Sequence, residues 1–211
     1  MKIFSIESRL MQFLDKLFCA VVINILFLLF SLPVVTLGAS SAALYRCFLT
    51  MSEDSGPGPF RLFWRSFRTN FKKATLLELC VLPVFAIVVW ELLTFLSGSV
   101  GAENTTSVMF ILPTILVTAW VSYVFPLQAQ FENSVGRTLK NAALLAVRHL
   151  PATVAVTALN LVFPALFFFF PDILIKTGMI WFFIGFSAVA SVNVRILKRV
   201  FKRYIPGKEG T

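Results

Sequence analysis

Five stretches of about 20 residues with few charges constrain this chain more than any other feature of its sequence. A helix rises 1.5 Å per residue, so about 20 residues cross a hydrocarbon layer roughly 30 Å thick. The runs cover residues 17–37, 74–97, 107–127, 152–170 and 173–195. Helix is preferred because an open strand edge leaves backbone polar groups unpaired in lipid. The expected fold is all-α: a polytopic transmembrane helical bundle of five spans, forming a single membrane domain over residues 1–211. A composition of 58% hydrophobic and 14% charged residues points the same way, since soluble domains do not reach it. The first run follows Lys2, Arg9 and Lys16 and precedes Gly38-Ala39-Ser40-Ser41-Ala42, which resembles a signal-peptidase site. A secretory core is only about 7–15 residues long, and four more runs follow, so the first run is expected to be retained.

Residues 39–51 are apolar but give a helix of only about 20 Å, too short to span. Either a re-entrant segment or a core-packed half-helix fits. Gly38, Ala39, Ala42 and Ala43, spaced at three and four, would let it approach the first helix closely. This segment decides orientation through the positive-inside rule. With five simple crossings, 15 Lys and Arg residues fall on one face and four on the other, and the N-terminus lies outside. If the short helix returns the chain, 18 fall inside and Lys176 alone outside. The second arrangement is preferred, with both termini cytoplasmic. The formal charge of +9 is spread between apolar runs, so anionic headgroups are the expected counter-charge and nucleic acid is not.

Phe60, Phe63, Trp64, Phe67 and Phe71 recur at three and four, opposite Arg61, Arg65, Arg68 and Lys72. This periodicity predicts a cationic amphipathic helix over 59–73 lying in the interface, aromatics toward acyl chains and cations on headgroups. The connection 52–59, rich in Gly and Pro, reads as a flexible turn. A weaker stripe, Phe131, Val135, Leu139, Ala142, Ala146 and Leu150, predicts a second interfacial helix over 131–149. Each leads into a Pro-bearing span, with Pro83 and Pro164, so an internal duplication is one reading.

Charges within spans are expensive and therefore candidates for function. Glu78 lies about one turn inside the second span and is the leading candidate, with Arg46 its expected partner. Glu91 and Asp172 fall at span ends and read as interfacial carboxylates. Asn24, Asn160 and Asn193 lie deeper, where each could hydrogen-bond between helices or touch a ligand. His149, the only histidine, has no Ser, Asp or Cys arrangement beside it and reads as an interfacial cap before Pro151. Cys19, Cys47 and Cys80 form no metal spacing and read as small buried hydrophobes. Asn104-Thr105-Thr106 matches a glycosylation sequon on the outer side. No catalytic, cofactor-binding or metal-ligating set emerges, and no nucleotide-binding loop is present.

Three motifs resemble the YesL family of bacterial membrane proteins. They are Asn24 to Tyr45, Phe63-Trp-Arg-Ser-Phe-Arg-Thr-Asn-Phe-Lys-Lys73, and Tyr123-Val-Phe-Pro-Leu-Gln-Ala-Gln-Phe131 followed by Leu139-Lys-Asn-Ala142. The resemblance implies a multi-pass protein of the bacterial inner membrane, associated with carbohydrate ABC-transport genes, and brings no catalytic residues. Two functions follow as expectations. One is a non-enzymatic accessory or assembly partner of a sugar-import system, contacting ABC-transporter subunits. The other, suggested by Pro-interrupted spans, is a small transporter or channel in its own right.

Overall fold

The computed structural model describes residues 2–51, 58–97 and 104–204. The connection read as a turn at 52–59 falls largely outside these residues. So do the 97–106 connection and the side chains of Glu91 and the sequon.

The described chain is helical, with no strand. It comprises α1 (Lys2–Ser31), α2 (Leu37–Thr50), α3 (Pro59–Leu96), α4 (Asn104–Gln130), α5 (Val135–Arg148), α6 (Leu150–Phe169), α7 (Pro171–Ile180) and α8 (Phe186–Phe201), with a π-helical turn Trp181–Gly185 joining the last two. Five segments are long and apolar enough to cross a membrane: Leu10–Ser31, Pro59–Trp90, Leu112–Gln130, Leu150–Phe167 and Pro171–Tyr204. Breaks occur where backbone chemistry demands them. Phe170 leaves the helical region at φ −137°, ψ 57°, because the following proline ring crowds a helical conformation, and Pro171 then opens α7. Asp172 sits in that first turn, where the helix dipole favours a carboxylate.

The boundary expected near residue 73 does not exist. Pro59 opens one helix of 38 residues, about 57 Å long, that contains both the cationic stretch and the span. No glycine or proline lies between Pro59 and Pro83, and Ala74, Leu76, Leu77, Glu78 and Leu79 all favour helix, so nothing stops propagation. Because α3 exceeds a roughly 30 Å hydrocarbon layer, its first turns project beyond the apolar run. The second stretch does form a separate helix, α5, ended at His149. The two stretches therefore differ in architecture, which removes the structural parallel behind a duplication.

The short segment is α2, 14 residues or about 21 Å, and it is packed into the core. Gly38, Ala39, Ala42 and Ala43 are all buried, and their face meets α3 more extensively than α1. Lipid tails are as apolar as leucine, so helices in a membrane associate through close packing rather than water exclusion. Small residues allow that approach. One cluster joins α1, α2, α3 and α8 around Ile23, Ala42, Cys47, Phe63, Phe67 and Ala190. A second joins α3 to α6 and α8 around Leu77, Tyr123, Leu127, Leu145, Val156 and Leu197. Of the cysteines, Cys47 is buried, Cys19 half-buried, and Cys80 exposed on the outside of α3, contrary to its reading as a core residue.

Candidate functional site

The polar side chains singled out within the spans fall into three separate hydrogen-bonded sets. The first is built on Asn24 of α1, which is fully buried. A π-turn carries one extra residue and displaces carbonyls from the regular ladder. Gly185 ends the turn, and its missing side chain leaves room for the Trp181 ring lying against it. Asn24 donates from Nδ2 to the carbonyls of Trp181 (3.2 Å) and Phe182 (2.7 Å), and its Oδ1 accepts from the Ser187 N–H at 2.9 Å. One side chain thus clamps both ends of the turn.

The second set joins four helices. Asn193 of α8, fully buried, donates to Asn160 Oδ1 of α6 at 2.7 Å and to the Tyr45 hydroxyl of α2 at 3.3 Å. Asn160 donates to Ser122 Oγ of α4 at 2.7 Å, and Ser122 in turn donates to the Thr118 carbonyl at 2.6 Å. Interhelical bonds of this kind contribute roughly 0.6 kcal/mol each in a membrane, and up to about 1.7. Within this neighbourhood Asn193 Oδ1 and Thr157 Oγ1 have no partner.

The third set corrects the pairing expected for Glu78. Its carboxylate, 5% exposed, accepts from the Gly38 N–H at 2.8 Å, while Arg46 donates to the Ala129 carbonyl at 3.0 Å. Gly38 stands in the first turn of α2, where backbone N–H groups lack helical partners and the dipole favours negative charge. Thr36, the residue before that helix, turns its hydroxyl back to the carbonyls of Phe30 and Pro33, so Glu78 supplies the cap from α3. A Cβ on Gly38 would lie 2.7 Å from the Ala74 carbonyl oxygen, which explains why the approach needs glycine. Asn24, Glu78 and Asn160 accordingly bond to different partners in three places.

Several contributors carried no sequence signal. Gln128 donates to Asn70 (3.3 Å) and accepts from Thr138 (3.4 Å), linking α3, α4 and α5. Trp120 Nε1 donates to the Leu139 carbonyl, and the Tyr123 hydroxyl meets Thr153 Oγ1 at 2.9 Å. Polar residues at the ends of apolar runs look like ordinary interface residues until the helices are assembled.

These contacts also gather the basic segments at one end of the bundle. Asn70 lies in the cationic part of α3, and Gln128 and Ala129 lie in the last turn of α4. Phe131 packs edge-on against Phe201 at 5.6 Å, and His149 Nε2 lies 3.0 Å from the Tyr204 hydroxyl. Arg46, the α3 cations, Arg137, Lys140, Arg148 and the cations from Arg195 to Arg203 therefore share that end. His149 lies just before the fourth span, and its pKa is pushed below the usual histidine value by partial burial, then by Arg203 and Arg148. Its backbone ends α5 and begins α6, while its side chain bonds Tyr204 rather than capping.

The aromatic face of α3 divides. Phe63 is fully buried and Phe67 7% exposed, both packed on Phe30 of α1 at ring separations of 5.9 and 5.0 Å. They pack on protein instead of entering lipid. Phe60, Trp64 and Phe71 remain exposed, as do Arg61, Arg65, Arg68 and Lys72. Among the described residues no three His, Cys, Asp or Glu side chains come together.

Spans, buried polar fasteners and a basic end define a helical membrane protein. Residues 20–92 match the family model described as "Protein of unknown function, DUF624", about a third of the chain. That segment holds Asn24, Gly38, Arg46, Glu78 and all the α3 cations. No curated protein and no solved structure matches the chain.

Proposed function

We propose that this chain is a non-enzymatic accessory or assembly subunit of the bacterial inner membrane that serves a carbohydrate ABC-import system. The observation that carries the reading is the use of Asn24, Glu78 and Asn160: each is bound to another helix, so each fastens the bundle. The surface left for a partner is the basic end, which the positive-inside rule assigns to the cytoplasm, together with the end of α8. The link to sugar import rests on the YesL-like motifs. Purification in mild detergent tests it. Permease or ATPase subunits should co-purify above background, and deletion should lower sugar uptake; absence of both overturns the proposal.

A transporter is the second reading, favoured by the partnerless buried oxygens of Thr157, Ser187 and Asn193. Purified chain in proteoliposomes would then pass a sugar or ion, with Glu78→Gln as the control. No flux across a panel of both rejects it.

A further inference from the structure

Placing Phe63 and Phe67 inside the protein changes what the cations of α3 can do. The helix is anchored through its aromatic face, so its cations project from a fixed backbone. Phe67, Arg68, Thr69, Phe71, Lys72 and Lys73, all of α3, border an open surface groove of about 490 Å³. The Arg68 guanidinium lies 5.9 Å over the Trp64 ring, and Trp64 in turn packs on Phe30 and Phe67. Phe71 meets Phe67 edge-on at 5.4 Å, giving the groove an aromatic floor. Among the described residues no carboxylate pairs with Arg68, Lys72 or Lys73, and Glu78 is engaged with Gly38. Lys73 is the last cation before the apolar run of α3, which places the groove at headgroup depth.

We propose that this groove seats the phosphate-bearing headgroup of an anionic membrane lipid. Arg68, Lys72 and Lys73 hold the phosphate, and Phe71 meets the first acyl carbons. Basic pockets beside cytoplasmic span ends suit such headgroups, and a cation held over an aromatic ring is already ordered for binding. The site rests on the reading that this end faces the anionic cytoplasmic leaflet.

Native mass spectrometry of the full chain in detergent tests it, with phosphatidylglycerol, phosphatidylcholine and inorganic phosphate as separate probes. Each cation that meets the seated phosphate contributes about fivefold, whereas cations that touch no bound lipid contribute little in detergent. The combined Arg68→Gln, Lys72→Gln, Lys73→Gln variant should therefore lose phosphatidylglycerol at least tenfold. The matched variant Arg137→Gln, Lys140→Gln, Arg148→Gln should stay within about twofold of wild type. Lys73→Gln alone should lose about fivefold, which keeps the test decisive if the triple variant does not fold. Equal losses from both triple variants would mean diffuse attraction and overturn the site, as would no loss in either. Inorganic phosphate competing as well as the lipid would make it a free-anion site instead, also overturning the proposal. Thiol labelling that placed this end outside would refute the orientation while leaving the detergent result standing, so the two fail separately.

Discussion

Gly38→Ala probes the close approach of α2 to α3. The added methyl would sit 2.7 Å from the Ala74 carbonyl oxygen, 2.8 Å from Cε1 of Phe125 and 2.9 Å from Cβ of Glu78. Two of these neighbours are backbone or near-backbone atoms, so α2 must move away from α3. Overpacking of this kind costs about 1–3 kcal/mol, and the shift also lengthens the Glu78 bond to the Gly38 N–H, about 1.5–3 kcal/mol when the carboxylate is charged. Because one displacement causes both losses, they overlap, and a total of about 2–4 kcal/mol is expected. Adding Phe125→Leu should restore only part, since the carbonyl contact remains. Thermal unfolding in detergent, supported by steric trapping, reads the change. A loss under about 0.5 kcal/mol, or full rescue by Phe125→Leu, would refute the reasoning that backbone approach at Gly38 holds α2 in place.

Asn24→Ala should destabilise the chain by about 2–4 kcal/mol, leaving two carbonyls of the π-turn and the Ser187 N–H just beyond it without their partner, and hydrogen exchange at Ser187 should rise; unchanged exchange there would count against the clamp. A double-mutant cycle with Asn160→Ala and Asn193→Ala should return a coupling of about 0.6–1.7 kcal/mol, and additive effects would show that the 2.7 Å bond contributes nothing. His149 binds its proton more weakly in the fold than in the unfolded chain, so its contribution holds above about pH 6.5 and declines as pH falls through that value toward the folded pKa. His149→Gln should flatten that part of the stability profile, measured by melting between pH 7.5 and about 5; an unchanged slope rejects the assignment.

The spans were legible because about 20 apolar residues have few alternatives, and the break before Pro171 because a proline disfavours helix in the residue preceding it. The division of α3 at residue 73 was not real. The stripe from Phe60 to Phe71 has the periodicity of a helix that lies on lipid and equally that of one that packs on protein, and only residues distant in sequence, Phe30 among them, decide between the two. Glu78 stood out as a buried charge, yet its partner is a backbone N–H, which every residue but proline possesses and which no side-chain pattern marks. Asn24 was visible as a deep amide, whereas the π-turn it clamps depends on Trp181 packing over Gly185.

Membrane sidedness tests the central claim most directly, that three basic segments distant in sequence form one cytoplasmic end. Single cysteines at the exposed positions Arg65, Arg137, Arg199 and Lys176, in a chain lacking Cys19, Cys47 and Cys80, can be challenged with an impermeant maleimide in intact cells. Only the cysteine at position 176 should react, and the other three should react after permeabilisation. Labelling of any of those three from outside, or their division between the two sides, would contradict the account.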